Sequence, residues 1–572
     1  MYDTHPIHMF PWLAIQQGHT TLARQVCAFI QQASTPIISI DGFVGLEWSV
    51  FIDGLQAALA DLSVEVAWLS TESCLLPAEQ IAAKLDTYLT DDPVFGRLFH
   101  GHLEELWDAE AVKFLRQRIE RRACATIVYG FGSSRLVPDA LQIYVDVPKD
   151  RGQELARLQR VCNVGAERPE AFGALYKRLY FVDWPMLNRI KRMVLPHLAL
   201  FVDGTDSLEP HWVEGSAFRQ ALQDLARRPF RVKPWFAPGP WGGQWMKEHF
   251  DLPRDQPNYA WSFELIAPEN GLLLGDGARV LECAFDYLLW QETDAVLGTA
   301  VAARYGSCFP IRFDYLDTMG GTNLSCQVHP RVDYIRDEFG EQFTQDETYY
   351  IMTCEQNARV FLGLREETDL ERLRADAYAA RDQAMPFDIA AHVNSVASKP
   401  HDLFLIPSGT VHCSGANNLV LEISATPYIY TFKIYDYLRS DLNGNLRDVH
   451  LEHAFANIDS TRRTGWVQEH LIQQPVVVRT GNVWRELCIG NIEQLFFAIH
   501  RLEFLETIDD ATDGKFLALN LVEGEQCEIL TETCEPVQLH YAESIIIPAS
   551  VGTYRLSNTG NRPCKVVKAF VK

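Results

Sequence analysis

Four side chains in the middle of the chain have the types and spacing of ligands for a divalent metal ion. Gln327 and His329 stand two residues apart, a spacing that places both side chains on one face of a β-strand. Glu347 leads into a run of β-branched and aromatic residues, and His412 follows a Pro-Ser-Gly turn that delivers it onto another strand. Two imidazoles, one carboxylate and one amide oxygen suit a borderline ion such as zinc, with room left for water or substrate.

Each of these residues also has an ordinary structural explanation. A single histidine in a β-rich protein is commonly a hydrogen-bonded structural residue, and a glutamate at the start of a strand is usually solvated. Spacing alone therefore gives the metal site modest support, and the surrounding sequence decides how the four residues are interpreted.

That surrounding sequence resembles the type I mannose-6-phosphate isomerase family over about residues 233–572. The resemblance lies in motifs that occur in the family's order and at similar spacing: QVHP at 327–330, DETYYI at 346–351, IPSGTVH at 406–412, LVLEIS at 419–424 and TFKIYDYLR at 431–439. It implies a cupin fold and one zinc ion per chain. Carried over, the zinc ligands are Gln327, His329, Glu347 and His412.

The activity that the resemblance implies is an aldose–ketose isomerisation between mannose 6-phosphate and fructose 6-phosphate through an enediol. This chemistry needs a base near the carbon next to the carbonyl and a group that stabilises the enediolate oxygen. Glu422, in the segment that resembles the family's glutamate-bearing strand, is the predicted base. The alternative for Glu422 is an ion pair with a nearby lysine.

Cations and a hydroxyl near these motifs are candidates for binding an anionic substrate. Lys433 and Arg439 stand six residues apart, on the same face if the segment is extended. The resemblance gives Lys433 a catalytic role, although the family typically has arginine there, and gives Arg439 a phosphate-binding role. Ser325 would donate a hydrogen bond to the phosphate. Asp314 stands where the family tends to have lysine, and Arg312 on the same strand face would compensate.

These departures keep more than one function open. The leading hypothesis is an active zinc-dependent isomerase of mannose 6-phosphate. A second hypothesis is a zinc-binding cupin that holds a sugar phosphate as a regulatory module and turns it over poorly or not at all. A third is an isomerase of a different phosphorylated sugar, because preference between epimers depends on the shape of the pocket.

The elements that would position these residues fall into three predicted domains. Residues 1–228 alternate strands and helices, which predicts a doubly wound α/β domain with a parallel sheet. Residues 229–474 contain many short strands with Gly and Pro turns and a helical insert at about 368–398, which is typical of a β-barrel or jelly roll. Residues 475–572 predict a second, smaller barrel of the cupin type.

The first domain also resembles P-loop nucleoside and nucleotide kinases where a strand at 35–41 runs into a glycine-bearing loop and a helix. The phosphate-gripping Gly-Lys pair of that motif would fall at Glu47 and Trp48, and only Ser49 remains in register. A carboxylate and an indole cannot cradle phosphates, so we predict a degenerate P-loop without kinase activity.

Composition narrows the classes of partner and compartment. A formal net charge of −24 disfavours nucleic acid and anionic membrane as partners. The same charge repels a small sugar phosphate, so a binding site for it needs locally concentrated cations. The thirteen cysteines include no CxxC pair, as expected for reduced thiols. The start of the chain lacks the pattern of a signal peptide, and we find no apolar run of membrane-spanning length. We expect a cytoplasmic protein and leave a homo-oligomer open.

Overall fold

The computed structural model describes residues 1–32, 36–440, 444 and 446–572. Thr35, the first residue of the strand predicted at 35–41, lies outside the described residues. Within them, no helix combines the length and apolar character that crossing a membrane requires.

The secondary structure begins with alternating strands and helices. The first part of the chain contains β1 (Ile7–Met9), β2 (Gln16–Gln17), α1 (His19–Ile30), β3 (Ile37–Gly42), α2 (Trp48–Asp61), β4 (Ala67–Ser70), α3 (Ala78–Leu89), α4 (Ala109–Glu120), β5 (Thr126–Tyr129), α5 (Ser133–Leu136), β6 (Leu141–Asp146), α6 (Lys149–Arg157), α7 (Phe172–Arg178), α8 (Trp184–Val194), β7 (Leu198–Asp203), β8 (His211–Glu214) and α9 (Gly215–Leu225).

Short strands dominate the rest of the chain. The middle part contains β9 (Trp235–Ala237), α10 (Trp245–His249), β10 (Trp261–Leu265), β11 (Gly271–Gly275), β12 (Val280–Ala284), α11 (Phe285–Gln291), α12 (Thr293–Leu297), α13 (Thr299–Tyr305), β13 (Ile311–Asp317), β14 (Cys326–Val328), α14 (Val332–Phe339), β15 (Glu347–Cys354), β16 (Arg359–Leu364), α15 (Leu370–Gln383), β17 (Val393–Ala397), β18 (Leu403–Ile406), β19 (His412–Ser414), β20 (Asn418–Ala425), β21 (Phe432–Tyr435), α16 (Leu451–Asn457) and α17 (Thr464–Trp466). The last part contains β22 (Val476–Thr480), β23 (Trp484–Gly490), β24 (Phe497–Phe504), β25 (Thr507–Ala511), β26 (Leu517–Glu523), β27 (Gln526–Leu530), β28 (Val537–His540), β29 (Ser544–Ile547), β30 (Thr553–Asn558) and β31 (Cys564–Val571).

These elements form two compact units that are not continuous in sequence. The N-terminal unit consists of Pro6–Leu225 and Pro268–Glu292, and the β-rich unit consists of Met1–His5, Ala226–Ala267 and Thr293–Lys572. The three-domain division predicted from the sequence remains a prediction. It did not foresee that residues 268–292 belong with the first part of the chain, where β11 pairs with β1 and β12.

The N-terminal unit is built on a seven-stranded sheet in the order β2-β8-β7-β6-β3-β5-β4. The five strands from β7 to β4 are mutually parallel, and β8 and β2 add an antiparallel edge. Parallel strands are covered on both faces, and β3 and β6 accordingly carry fully buried apolar residues such as Ile38, Ile40 and Ile143. The predicted alternation of strands and helices therefore forms a parallel sheet with an antiparallel edge.

A buried ion pair lies at the carboxyl end of this sheet. Lys191 of α8 places its Nζ 2.5 Å from Oδ1 of Asp146, the last residue of β6, and each side chain is only 1% exposed. The Lys191 ammonium also lies 3.3 Å from the ring centroid of Phe43. Burial disfavours the charged form and lowers the pKa of Lys191, while the Asp146 carboxylate opposes that shift. The two charges depend on each other because neither reaches water.

Replacing Lys191 by methionine should lower the free energy of unfolding by about 3–5 kcal/mol, because the Asp146 charge would then be buried without a partner. Guanidinium denaturation followed by tryptophan fluorescence measures this change. The matched control is Lys113→Met, which breaks a pair with Glu110 whose side chains are 66% and 85% exposed, and it should change stability by less than about 0.5 kcal/mol. Equal effects of the two variants would contradict the expectation.

The β-rich unit contains two pairs of antiparallel sheets. The first pair has the orders β18-β15-β20-β13-β10-β9 and β17-β16-β19-β14-β21, and the second has the orders β22-β23-β24-β31-β26-β29 and β25-β30-β27-β28. Leu502, Leu519, Ile529 and Val566 belong to a buried apolar cluster of the second pair. Short antiparallel strands with apolar residues between two sheets are the arrangement that the sequence predicted for this part of the chain.

The predicted helical insert at 368–398 is α-helical only in its first half, and its second half contains a single short 3-10 helix at Ile389–Ala391. Helix α15 ends at Gln383, Ala384 adopts a left-handed conformation with φ 52°, and Val393–Ala397 form strand β17 beside β16. Pro386 disfavours continuation of the helix, and the β-branched Val393 and Val396 favour the strand. The sequence interpretation missed this change because it treated the whole segment as one inserted element.

Candidate metal centre

Three side chains from separate strands of the β-rich unit converge at one buried point. His329 follows β14 directly, while Glu347 and His412 are the first residues of β15 and β19. Glu347 places Oε2 2.9 Å from His329 Nε2 and Oε1 2.7 Å from His412 Nε2. One ligand atom from each residue lies within 4.8 Å of the others. The arrangement has the size and composition of a metal-ion site.

The hydrogen bonds around the two imidazoles direct their other nitrogens toward this point. His329 Nδ1 lies 2.9 Å from the carbonyl oxygen of Tyr430, and His412 Nδ1 lies 2.8 Å from that of Thr410. A carbonyl oxygen only accepts, so each Nδ1 carries the proton and each neutral ring presents a lone pair at Nε2. Those lone pairs face the Glu347 carboxylate, which is also only an acceptor.

Such a set of acceptors requires a positive charge between them. Among the described residues, His329 Nε2 and both Glu347 oxygens lack a hydrogen bond of acceptable geometry, although all three atoms are buried. Without a metal ion, protons must supply the charge. Burial alone would lower the pKa of His329 and raise the pKa of Glu347. The attraction between the Glu347 carboxylate and the imidazoles outweighs burial, so the pKa of His329 is raised and the pKa of Glu347 is lowered. A divalent cation satisfies the same three atoms, so the residues fit a metal ion.

The amide of Gln327 borders the same point. Gln327 pairs with His412 across β14 and β19, and its Nε2 lies 3.3 Å from His412 Nε2. Its Oε1 accepts a hydrogen bond of 3.1 Å from Ser325. Rotating this amide by half a turn would present its oxygen to the metal position. The two ends of an amide have nearly the same shape, so the rotated side chain fits the same space. In the observed orientation Gln327 Oε1 faces Ser325, and after the half-turn Gln327 Nε2 would face the Ser325 hydroxyl, which can accept a hydrogen bond.

A buried charged cluster lies on β13 and β20. The two strands pair so that Asp314 faces Glu422 and Arg312 faces Ser424. The Arg312 guanidinium forms an ion pair with Glu422, donates to Ser424 Oγ at 2.6 Å and lies 3.5 Å from Asp314 Oδ2. Burial raises the pKa of Glu422 to about 8, with the Glu347 charge adding to the shift and Arg312 opposing it. Burial likewise raises the pKa of Asp314 to about 7, against the effect of Arg312.

Tyr349 is a residue of this surface that the sequence interpretation did not single out. It pairs with Glu422 across β15 and β20, and its ring centroid lies 5.7 Å from that of His412. The alternation of side chains along β15 could have identified it, because residues 347 and 349 share one face. Ser424 was missed in the same way, since it shares a face of β20 with Glu422.

Lys433 and Arg439 both belong to a network of charges around Asp436. Lys433 on β21 pairs with Gln327 on β14, and burial lowers its pKa to about 8. Arg439 forms an ion pair with Asp436 and donates to the carbonyl oxygen of Asn323 at 2.7 Å. Arg447 binds the other oxygen of Asp436 at 2.9 Å. The structure thus shows Arg439 holding the segment that leads into β14, and its contact with phosphate stays a prediction.

Comparison with known proteins matches one family model and several mannose-6-phosphate isomerases. Residues 18–227 match the model of DUF8485, a domain of unknown function. About 60% of the chain is homologous at low identity to mannose-6-phosphate isomerases. It is 24% identical over 338 residues to ManA of Bacillus subtilis, covering 58% of this chain and 96% of that protein, and 22% identical over 321 residues to the Streptococcus mutans enzyme, covering 55% and 90%.

The crystal structure of mannose 6-phosphate isomerase from Bacillus subtilis matches with 20% identity and a TM-score of 0.49, covering 60% of this chain and 99% of that one.

Proposed function

We propose that the chain is a metal-dependent aldose–ketose isomerase that interconverts mannose 6-phosphate and fructose 6-phosphate, with one zinc ion held by Gln327, His329, Glu347 and His412. The observation that carries the proposal is the buried group of acceptors formed by His329, Glu347 and His412, whose geometry calls for a cation. The homology to mannose-6-phosphate isomerases supports the choice of reaction.

The proposed metal supplies one kind of chemistry. A bound zinc ion acts as a Lewis acid that stabilises negative charge developing on a substrate oxygen. The protein's own contribution is to keep the ligands rigid, and the hydrogen bonds from the two imidazoles to backbone carbonyl oxygens do this.

Glu422 is the proposed base of the reaction. It lies on the same surface as the metal ligands, and its pKa near neutrality suits a group that takes a proton from one carbon and returns it to the next. Arg312 and Ser424 both bind Glu422 Oε1 and fix its orientation. Lys433 is the proposed cation for the substrate oxygens, because it lies opposite Gln327 on a neighbouring strand.

A second candidate function is a sugar-phosphate-binding module with little turnover. Two features of the charged cluster favour it. Arg312 engages Glu422 in an ion pair, which lowers the basicity of a carboxylate, and Asp314 adds a second buried acid beside them. In this case the metal and the sugar phosphate would bind but proton transfer would be slow.

A coupled assay for fructose 6-phosphate with zinc-loaded protein separates these functions, provided that a panel of other hexose and pentose phosphates is measured in parallel. The isomerase proposal requires turnover of mannose 6-phosphate above that of every other sugar phosphate. Turnover of a different sugar would correct the substrate only. Binding without turnover of any sugar phosphate would favour the second function.

Lys433→Ala should lower catalytic efficiency about 10- to 100-fold, because a charge-assisted contact in a desolvated site is worth roughly 1.5–3 kcal/mol. Lys433→Arg keeps the charge and should retain or raise turnover. The measurement is the initial rate on phosphorylated sugars, with thermal unfolding as a check on folding. Near-normal efficiency of the alanine variant would remove Lys433 from the proposed site.

A further inference from the structure

A thiol, an imidazole and a carboxylate meet on the neighbouring strands β23 and β24 of the β-rich unit. Cys488 pairs with His500 across these strands, and their side chains are in hydrogen-bonding contact. The His500 ring also places Nδ1 2.7 Å from Glu486 Oε1. Glu486 and Cys488 stand two residues apart on β23, so both side chains lie on the face that His500 shares. A nucleophile, a base and an orienting carboxylate in this order are the arrangement that activates a cysteine.

Glu486 is held by two cations in a network of charges. Its side chain is 4% exposed, its Oε1 lies 2.7 Å from Lys568 Nζ, and its Oε2 forms an ion pair with Arg479. The same two cations bind Asp510, with Lys568 Nζ 2.9 Å from Oδ2 and Arg479 Nη2 2.6 Å from Oδ1. Burial alone would raise the pKa of Glu486, but its hydrogen bonds and its attraction to His500, Lys568 and Arg479 lower it. Glu486 therefore stays ionised, and the two cations match the two carboxylates in charge.

A positive charge on His500 has the Cys488 thiol beside it to balance it. Because Glu486 is ionised and accepts a hydrogen bond at His500 Nδ1, that nitrogen carries a proton. Burial alone would lower the pKa of His500, but its contacts with Cys488 and Glu486 raise it and favour the imidazolium. The other four charges of the network cancel, so the imidazolium adds one positive charge, and a Cys488 thiolate neutralises it. A thiolate beside a protonated histidine is the reactive form of cysteine.

Cys488 combines this imidazole partner with access to solvent. Cys488 is half-buried, and the side chain of His500 is 15% exposed. Cys162 and Cys354 are half-buried as well, but burial raises the pKa of both thiols, which keeps them protonated at neutral pH. Solvent access alone therefore does not make a thiol of this chain reactive, and the contact with His500 is what distinguishes Cys488 from these two.

We propose that Cys488 is a nucleophilic thiol, activated by His500 and Glu486, that forms a reversible mixed disulfide with low-molecular-weight disulfides. The Cys488 sulfur attacks one sulfur of the reagent, the S–S bond of the reagent breaks, and the leaving sulfur takes up the proton that His500 received from the thiol. Cys488 is oxidised and the leaving sulfur is reduced, so the step needs no other oxidant. An excess of the small thiol reverses it. The site shares no residue with the proposed metal centre, and its failure would leave the isomerase proposal intact.

Incubation of the full-length, reduced protein with oxidised glutathione at neutral pH tests the proposal. Mass spectrometry of the digested protein locates the modified cysteines and gives the rate at each of them. Cys488 should be modified at least about 10-fold faster than Cys354, because the rate depends on the fraction of thiolate and on access. An excess of reduced glutathione should release the adduct. A smaller difference between the two rates, or an adduct that reduced glutathione does not release, would overturn the proposal.

His500→Gln should slow the modification of Cys488 at least about 10-fold, because glutamine keeps a hydrogen-bonding side chain but cannot hold the positive charge. The matched control is His540→Gln, since His540 also pairs with a glutamate but lies opposite Gln526 rather than a cysteine. The control should leave the rate unchanged, and thermal unfolding checks that both variants fold. An unchanged rate in folded His500→Gln would contradict the proposal. If that variant does not fold, the comparison of Cys488 with Cys354 in the native protein decides.

Discussion

Replacing His329 by alanine is expected to remove the bound zinc and the isomerase activity together. His329 supplies one of three convergent ligand atoms in a site that water reaches poorly, so no neighbouring group is placed to substitute for it. Removing a residue that only hydrogen-bonds to a metal ligand already lowers metal affinity or activity about 10- to 100-fold. Removing a ligand itself should have a larger effect. We expect less than about a tenth of a zinc ion per chain and turnover reduced by more than about 100-fold.

Elemental analysis after dialysis and the coupled fructose 6-phosphate assay measure the two effects. The control is His470→Ala, whose side chain is 41% exposed and which lies outside the metal group. Chelation of the unaltered protein should abolish its activity, and added zinc should restore it. If the dialysed native protein holds no stoichiometric divalent ion, or if His329→Ala keeps its full zinc content, the proposed metal site is wrong.

Glu422→Gln is expected to abolish turnover while leaving the metal in place. Glutamine has nearly the same shape as glutamate but cannot take up a proton, and a positioned general base contributes about 10²- to 10⁴-fold to the rate. The variant should therefore lose activity by that factor, retain one zinc ion per chain and bind the sugar phosphate with little change. Rate measurement, zinc analysis and calorimetric binding together test this separation.

Glu355→Gln is the matched control, because Glu355 is exposed and follows β15 at the end remote in sequence from Glu347. It should leave all three quantities unchanged. If Glu422→Gln keeps more than about a tenth of the native rate, the proton is carried by another group and the assigned base is wrong. If the zinc is lost as well, Glu422 acts in holding the metal site, and the assignment of its role must change.

The sequence predicted which residues belong to the site better than it predicted how the fold brings them together. Motif spacing named His329, Glu347 and His412, but their separation along the chain gives no distance between them, and only the sheet pairings bring their ligand atoms together. That they bind zinc remains a prediction. The same limit applies to Arg439, whose charge is visible in the sequence while its ion pair with Asp436 depends on how the chain folds back.

The fold shows a similar division between local and long-range information. Strands such as Leu198–Asp203 and helices such as α2 follow from hydrophobic periodicity, which is a local property. The pairing of β11 with β1 could not be predicted, because the strands lie far apart in sequence and a short apolar run can join any available edge. The break in the 368–398 insert was predictable in principle from Pro386, but the strand that follows is stabilised by pairing with β16.

The interruption of the N-terminal unit by residues 226–267 has a consequence for how the protein is made. Strand β1, near the start of the chain, finds its partner only when β11 has left the ribosome, and β11 in turn pairs with β12, which ends at Ala284. Domains generally fold as units during synthesis, but the three-stranded sheet of this unit cannot form until residues 226–267 of the other unit have emerged. For the same reason, a fragment that stops at residue 228 would be synthesised without two of the strands of its own unit.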